Sequence, residues 1–300
     1  MSIMCDVCAV DSIYGNGFEY SLPKDVLEGF LSGKAFDNCD EYTADESQRL
    51  REDIREIYQR MFSFELVKEP LAVITAGAPG AGKTTLLRRE LENNNRPGRC
   101  YAYIDPDDVC LRAQARTYQA DLEGGDRLAV YNKWRPGSNA AAHLVLANLI
   151  RENYAFYFGT TATGPATGKF LEFLKQRGYQ IRLLHVTAPD DVRCESIKER
   201  DKTFVQTTEQ DVRAKGDLLP QRINDTFLAY ADEIEFYYRE AVHADAQFAA
   251  KWVRNQEGTE ALGILQIIDP FQYAQIKAIH NAVVERLERP DLQWGSTGLR

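Results

Sequence analysis

The sequence lacks long hydrophobic runs. None of its apolar stretches reaches eighteen residues, which is about the length that a helix needs to cross a bilayer. The first residues, MSIMCDVCAVDSIYG, have no basic stretch and carry an early Asp, so they do not resemble a Sec-type signal peptide. We therefore expect no membrane span and a cytoplasmic location.

Positive charge is also scarce. The chain has 36 Lys and Arg residues against 45 Asp and Glu residues, and its formal net charge is −9. Proteins that bind nucleic acids face the phosphates with Lys and Arg. An acidic chain of this kind is a poor candidate for that class, and we expect no nucleic-acid partner.

Cysteine and histidine are few, and their spacing suggests no framework. The scatter of the six cysteines is unlike the disulfide pattern of a secreted domain. One C-x-x-C pair fits half of a zinc site, but no second pair follows at a suitable spacing, so reduced thiols are the favoured interpretation. The four histidines show no metal-ligand spacing, and we expect structural roles for them. These residues are Cys5, Cys8, Cys39, Cys100, Cys110, Cys194, His143, His185, His243 and His280.

Two stretches near the N-terminus predict helices. SLPKDVLEGFLSG begins with a Ser N-cap and ends at a glycine, and TADESQRLREDIREIYQRMFSFEL repeats its apolar residues at helical spacing. We expect the second helix to pack on the domain that follows it. A separate partner-binding arm is the alternative.

From residue 70 onward, predicted strands alternate with predicted helices. The strands are LAVITAG, RCYAYID, YAFYFGTT, QIRLLHVTA and ALGILQIID; long helices are expected over about 208–253, and YAQIKAIHNAVVERLER closes the chain as a helix. This alternation predicts an α/β fold with a parallel sheet flanked by helices. Ligands of such sheets bind beyond the carboxyl ends of the strands, so the residues after each strand are the candidates for function.

A glycine-rich loop follows the first of these strands. Its sequence matches G-x-x-x-x-G-K-[ST] between a predicted strand and a predicted helix, which is the setting of a phosphate-binding loop. Backbone N–H groups of such a loop and the helix N-terminus bind phosphates, the lysine reaches the β- and γ-phosphates, and the hydroxyl after it binds Mg²⁺. The predicted nucleotide-binding residues are Gly77, Ala78, Pro79, Gly80, Ala81, Gly82, Lys83, Thr84 and Thr85.

An acidic turn, YIDPDDV, follows the second strand. Its aspartates are Asp105, Asp107 and Asp108, and one of them could accept the proton of an incoming hydroxyl. The alternative is that they cap the next helix, since Asp is a common N-cap. Further along, YNKWRPGSN places Trp134 and Arg135 where they could stack on a base or bind a phosphate, or simply pack in a loop.

Four segments, taken in order, resemble the zeta-toxin family of small-molecule kinases. They are GAPGAGKTT, YIDPDDV, RPGSNAAAHLVLANLI and YAFYFGTTATGP. The resemblance covers residues 70 to about 215. It implies a P-loop kinase that uses ATP and Mg²⁺ to phosphorylate a sugar hydroxyl, with UDP-N-acetylglucosamine as the acceptor of family members studied as toxins. It also implies an inhibitory antitoxin-like partner, and a place in the bacterial cytoplasm or, for an exported effector, the host cytosol.

By position, the resemblance assigns roles to individual residues. Asp107 matches the catalytic base, Lys83 and Arg200 the cations around the transferred phosphate, and Thr84 the Mg²⁺ ligand. From its own residues, GSNAAAHLVLANLIREN predicts a helix with Ser138 or Asn139 as its N-cap. The predicted acceptor-binding residues are Asp107, Asn139, Thr160, Thr161 and Arg213, with Lys215 as an alternative to Arg213.

The chain departs from the family at one position. The family carries an acceptor-binding Glu where this sequence has Phe158 or Gly159. Either the acceptor differs, with a nucleotide or dinucleotide as an option, or transfer is lost and the protein binds nucleotides as an interaction protein. A polynucleotide or nucleoside kinase is a further alternative. We divide the chain into a helical extension (1–68), a P-loop kinase domain (69–270) and a C-terminal helix and tail (271–300).

Overall fold

The computed structural model describes residues 42–63, 65–96, 98–164, 167–201, 209–255, 262–280 and 287–289. The predicted helix at SLPKDVLEGFLSG and the Cys5–Cys8 pair lie outside these ranges. The described chain forms two compact units. The first unit contains residues 42–70 and 91–159, and the second contains residues 71–90 and those from 160 onward.

The first unit packs helices around a short pair of parallel strands. These two strands pair in register from Ala102 with Phe156 to Ile104 with Phe158. Its elements are α1 (Ala44–Met61), β2 (Ala102–Ile104), π-helical segments at Pro106–Leu111 and Ala115–Gln119, α3 (Ala120–Leu122), α4 (Arg127–Arg151) and β3 (Phe156–Phe158).

Helix α1 confirms the second predicted N-terminal helix. Thr43 caps it, because its hydroxyl accepts from the Glu46 N–H and the Glu46 carboxylate accepts from the Thr43 N–H. The apolar face is fully buried at Leu50 and Ile54, and the tip of Leu50 lies against Gly137 of α4. The helix therefore packs on this unit, as expected, rather than standing apart.

Helix α4 begins earlier than the sequence predicted. Asp126 is its N-cap and accepts from the N–H groups of Leu128 and Ala129, so the prediction of a start at Ser138 or Asn139 is wrong. Pro136 lies inside the helix. A Pro-Gly pair usually indicates the end of a helix. Here the helical turns before Pro136 pack through Trp134, which is fully buried.

The second unit contains a five-stranded mixed sheet. Strands β1, β4 and β5 are parallel, β6 and β7 continue antiparallel, and the order is β1-β4-β5-β6-β7. Its elements are β1 (Leu71–Ala76), α2 (Lys83–Asn94, which starts in this unit), α5 (Thr167–Gln176), β4 (Gln180–Thr187), α6 (Asp190–Asp201), α7 (Glu209–Arg222), a π-helical segment at Ile223–Phe227, α8 (Leu228–Tyr230), β5 (Glu233–Tyr238), β6 (Gln247–Arg254), β7 (Gly263–Ile267) and α9 (Pro270–Ile279).

The predicted long helices over 208–253 are only partly present. Helix α7 occupies the start of that range, but β5 and β6 occupy its second half. The run EIEFYY is buried on both faces beside β4, and its aromatic and β-branched residues suit a central strand. The α/β class is confirmed, with a mixed rather than a wholly parallel sheet. No helix in the described ranges is long and apolar enough to span a membrane.

Candidate functional site

The predicted phosphate loop connects β1 to α2 in the second unit. Gly77, Gly80 and Gly82 have φ values of 147°, 79° and 98°, which L side chains rarely adopt. A Cβ at Gly77 would overlap the Val186 carbonyl oxygen, and one at Gly80 would overlap that of Arg193. The loop therefore takes a conformation that requires its glycines and suits the binding of a phosphate by backbone N–H groups.

The residues after the glycines open helix α2. The Lys83 ammonium donates to the Ala78 carbonyl at 2.9 Å, across the loop, while Thr84 is partly buried and Thr85 is exposed. Nothing in the described ranges groups three His, Cys, Asp or Glu side chains around a possible metal site. The Thr84 hydroxyl is the group of this loop that could hold a Mg²⁺ ion together with nucleotide phosphates and water, since Mg²⁺ usually binds in this way.

Arg239 supports the loop from beyond β5, and sequence reasoning missed it. Its Nη1 donates to the Gly80 carbonyl at 2.9 Å and its Nε to the Ala244 carbonyl at 3.0 Å. The side chain is buried, and this burial lowers the pKa of the guanidinium from its ordinary value. No local pattern marks Arg239, because its contact joins residues 159 positions apart.

Thr160 and Thr161 join the end of β1 to the phosphate loop. The Thr75 hydroxyl donates to the Thr160 carbonyl at 2.8 Å and accepts from its N–H at 2.9 Å. The Gly77 N–H donates to the Thr161 carbonyl at 3.1 Å, and the Thr161 hydroxyl lies 2.9 Å from that of Thr163. The structure thus brings these two predicted residues to the first glycine of the loop.

Two buried histidines lie near the phosphate loop. The His185 and His280 rings meet edge to face, with centroids 5.7 Å apart. Burial lowers the pKa of His185 well below its ordinary value, with smaller effects from His280 and Lys83, and lowers the pKa of His280 to about 4. Both rings are therefore neutral near pH 7. His280 also lines a cavity of about 270 Å³ that reaches Ala78.

The predicted lid cations lie on α6 and α7. Arg200 is partly buried near the end of α6, and Arg213 of α7 contacts Asp190 at 3.1 Å. Arg193 links the same two helices, because it pairs with Asp190 and donates to the Val212 carbonyl at 2.8 Å. The alternative cation, Lys215, is partly buried on α7.

In the first unit, the three aspartates of the acidic turn have different surroundings. Asp105 caps the π-helical segment, since its Oδ1 accepts from the N–H groups of Asp107 and Asp108 at 2.9 and 2.8 Å. Asp108 accepts from the Tyr103 hydroxyl at 2.9 Å. The Asp107 carboxylate instead forms an ion pair with Arg135 of α4. The capping interpretation is thus correct for Asp105, and Asp107 is left for another role.

Charge and burial shift several pKa values around this turn. Burial, with a smaller effect of Asp107, raises the pKa of Asp105 to about 6. Burial by itself lowers the pKa of Arg135, but Asp107, Tyr131 and Asp105 raise it above its ordinary value. His143 is buried near this guanidinium, and burial followed by the Arg135 charge lowers its pKa to about 3. Arg135 is therefore charged and His143 is neutral.

Phe158 and Gly159 stand where the family resemblance implies a Glu. The Phe158 ring is buried, and its centroid lies 6.2 Å from that of His143. Gly159 packs against Asp105 so closely that a Cβ would overlap Oδ2. Neither position supplies a side-chain carboxylate, and packing accounts for both residues.

Two other predicted residues lie on α4. Trp134 is fully buried, donates from its indole nitrogen to Asp121 at 2.8 Å and stacks on Tyr42 with centroids 5.1 Å apart. Trp134 therefore packs in the protein and does not stack on a ligand. Asn139 is partly buried in the middle of the helix, one turn beyond Arg135.

A glycine-dependent loop between a buried parallel strand and a helix defines the P-loop class of nucleotide-binding folds. The zeta toxin family model matches residues 54–237, which is more than half of the chain. The chain belongs to the zeta toxin family, as the sequence motifs indicated. No curated protein sequence matches the chain.

Solved structures support the same fold. A chain from the PezAT chromosomal toxin–antitoxin system of Streptococcus pneumoniae has a TM-score of 0.52 and 18% identity, covering 83% of this chain and 99% of that one. The complex AvrRxo1-ORF1:-ORF2 with ATP has a TM-score of 0.57 and 13% identity, and the match covers 89% of this chain and 81% of that one. The native AvrRxo1-ORF1:-ORF2 complex has a TM-score of 0.55, 13% identity and the same coverage. At these identities, the likeness concerns the fold.

Proposed function

We propose that this protein is a kinase that transfers the γ-phosphate of ATP to a hydroxyl group of a small molecule, with a nucleotide sugar or a related nucleotide as acceptor. The observation that carries the proposal is the exposure of Asp107. Its side chain is 27% exposed, while that of Asp108 is 8% exposed and Asp105 is buried as a cap. Asp107 is thus the carboxylate of this turn that an acceptor can reach.

The proposed chemistry assigns a task to each group. Asp107 takes the proton of the acceptor hydroxyl while the hydroxyl oxygen bonds to the γ-phosphorus. The bond between the γ-phosphorus and the bridging oxygen of the β-phosphate breaks, which releases ADP. Lys83 and Arg200 stabilise the negative charge of the transferred group. Thr84 would hold Mg²⁺, which neutralises the phosphates when bound. Thr160, Thr161, Asn139 and Arg213 are proposed to bind the acceptor.

The test is turnover of labelled ATP against sugar nucleotides, dinucleotides and nucleosides, with UDP-N-acetylglucosamine first. With the best acceptor, Asp107→Asn should lower kcat by at least about 100-fold, since a positioned base contributes 10²- to 10⁴-fold. Lys83→Ala should abolish transfer. The matched control is Asp108→Asn, one residue away, which should stay within a few-fold of wild type. Full turnover by Asp107→Asn would remove Asp107 from the mechanism.

A second candidate function is nucleotide binding without transfer. Gly159 favours it, because the close approach of Asp105 leaves no room there for an acceptor-binding side chain. A site without such a carboxylate binds a different acceptor or none. Tight ATP binding with no turnover on any compound of the panel would support this candidate and contradict the kinase.

An inhibitory protein partner belongs to the proposal. PezAT is a toxin–antitoxin system, and family membership suggests a comparable partner for this chain. Co-expression of an antitoxin-like protein that binds this chain should relieve any growth arrest that the wild-type protein causes and that Lys83→Ala does not cause. Equal arrest by both proteins would contradict a toxic kinase activity.

A further inference from the structure

We infer that Arg135 is a positioning residue for Asp107: its guanidinium holds one carboxylate oxygen so that the other faces the acceptor hydroxyl. This inference rests on the proposed kinase function and names a residue that acts through the proposed base. Arg135 contacts Asp107 through Nε and Oδ1. The pair therefore occupies one of the two carboxylate oxygens, and a base needs the second for the proton.

The main chain is restrained at Arg135. Pro136 follows it and restricts the local backbone, and the Ser138 hydroxyl donates to the Arg135 carbonyl at 2.8 Å. On the other side of the pair, the Asp107 N–H is held by Asp105 at 2.9 Å. Asp107 is thus held from two elements, through its backbone by Asp105 and through its side chain by Arg135. Such restraint is what a group that must meet a hydroxyl within hydrogen-bond reach requires.

Among the charged groups around this turn, Arg135 is the cation that pairs with Asp107. The turn carries the carboxyl groups of Asp105, Asp107 and Asp108, and Arg112 is associated with Asp108 at 3.7 Å. His143 is neutral behind Arg135, because burial and the guanidinium hold its pKa at about 3. The Arg135 side chain is 23% exposed, so water screens this pair less than a surface pair. A planar guanidinium also fixes the direction of the carboxylate better than an ammonium does.

Substitutions at Arg135 test the inference on the compound that the wild-type protein phosphorylates best. We expect Arg135→Gln to lower kcat by about 10- to 100-fold, a part of what a positioned base contributes, with the KM for ATP unchanged. Arg135→Lys should recover part of the loss in kcat, because lysine restores the positive charge but not the planar guanidinium group. The matched control is Lys133→Gln, a change on the same helix as Arg135. It removes an ion pair between Lys133 and Glu46 of α1 and should leave kcat within about twofold of wild type.

Chemical rescue separates positioning from folding. In Arg135→Ala, guanidinium chloride at millimolar concentration should raise kcat several-fold, while the same concentration of sodium chloride should not. Thermal unfolding of every variant checks that the protein is folded at the assay temperature. Wild-type kcat in Arg135→Gln, or a loss that neither guanidinium nor Lys recovers in folded protein, would overturn the positioning role. If Asp107→Asn kept full activity, or wild type phosphorylated nothing, the proposed function itself would fail.

Discussion

The α-carbon of Gly159 lies directly against the carboxylate of Asp105, and a Cβ at that position would overlap Oδ2. The N–H of Gly159 also donates to the Ile104 carbonyl at 2.8 Å, one residue before Asp105. The end of β3 and the acidic turn after β2 are therefore fitted to each other. A residue at 159 and the residue at 105 cannot both carry large side chains in this backbone.

Gly159→Ala should therefore destabilise the protein by about 1–3 kcal/mol, the usual cost of overpacking a buried position. Urea unfolding measures the loss. Gly124 is the matched control, since a Cβ there meets nothing within 4 Å, and Gly124→Ala should change the free energy of unfolding by less than about 0.5 kcal/mol.

The double variant Gly159→Ala with Asp105→Ala identifies the cause of that loss. Removing the Asp105 carboxylate opens space for the new methyl group, so the two changes should cost less together than the sum of the single changes. Strict additivity would mean that something other than Asp105 resists the alanine.

Asp105 should also make stability depend on pH. Its pKa in the folded protein is about 6, above its ordinary value of 3.8, mainly because of burial. The folded state thus binds this proton more tightly than the unfolded state does, and the contribution of Asp105 to stability falls as pH rises from about 4 to about 6. A shift of two pKa units corresponds to about 3 kcal/mol.

Asp105→Asn removes this titration and keeps an oxygen that can cap the segment. We expect the free energy of unfolding of the variant, relative to wild type, to increase by about 2–3 kcal/mol between pH 4 and pH 6.5 and then to stay level. Urea unfolding at several pH values gives the difference. A difference that stays constant with pH would show that Asp105 has the same pKa in both states.

Asp53 of α1 should be essential to the packing of the N-terminal helix. It is fully buried and accepts from the N–H and hydroxyl of Thr117 at 2.9 and 2.7 Å, and from the N–H of Arg116 at 3.1 Å. Asp53→Ala removes the acceptor of both N–H groups, while the Thr117 hydroxyl keeps Gln114 as an alternative acceptor. We therefore expect a loss of about 2–4 kcal/mol in the free energy of unfolding. The matched control, Asp45→Ala, removes an exposed carboxylate that pairs with the partly buried Arg49 and should cost less than about 1 kcal/mol.

Arg239→Met should weaken ATP binding, because the Gly80 carbonyl loses its donor and the phosphate loop loses its support. We expect an increase of about tenfold in the Kd for ATP by calorimetry, from the loss of a hydrogen bond worth about 1–2 kcal/mol. Arg254→Met is the control, since Arg254 also donates to two carbonyls, those of Ala231 and Leu228, away from the loop. Equal affinity in both variants would contradict the supporting role.

The sequence predicted what depends on local chemistry. The glycines of the loop, the helical spacing of the second N-terminal helix and the alternation of strands and helices all follow from short-range rules. It did not predict β5 and β6, because EIEFYY becomes a strand through its place beside β4. The predicted start of α4 was wrong because Ser138 and Asn139 are typical N-cap residues, and the burial of Trp134 in the earlier turns is not visible in the sequence.

The site divides in the same way. The motifs singled out Lys83 and Asp107, and also the absence of a carboxylate at Phe158 and Gly159. They offered capping as an alternative for all three aspartates without singling out Asp105, because that choice needs the geometry of the turn. Arg135 was considered for a ligand phosphate, whereas its partner is Asp107, 28 positions earlier in the chain. Such pairings are set by tertiary packing and have no local signature.

The hydrogen bond from Arg239 to Gly80 has a consequence for the growing chain on the ribosome. At about 5–20 residues per second, roughly 10–30 seconds separate the synthesis of the loop from that of the arginine. Until Arg239 is made, the Gly80 carbonyl lacks this donor, even if the strands that precede Arg239 have already paired. A nascent chain should therefore gain its full affinity for nucleotide only after Arg239 has been synthesised.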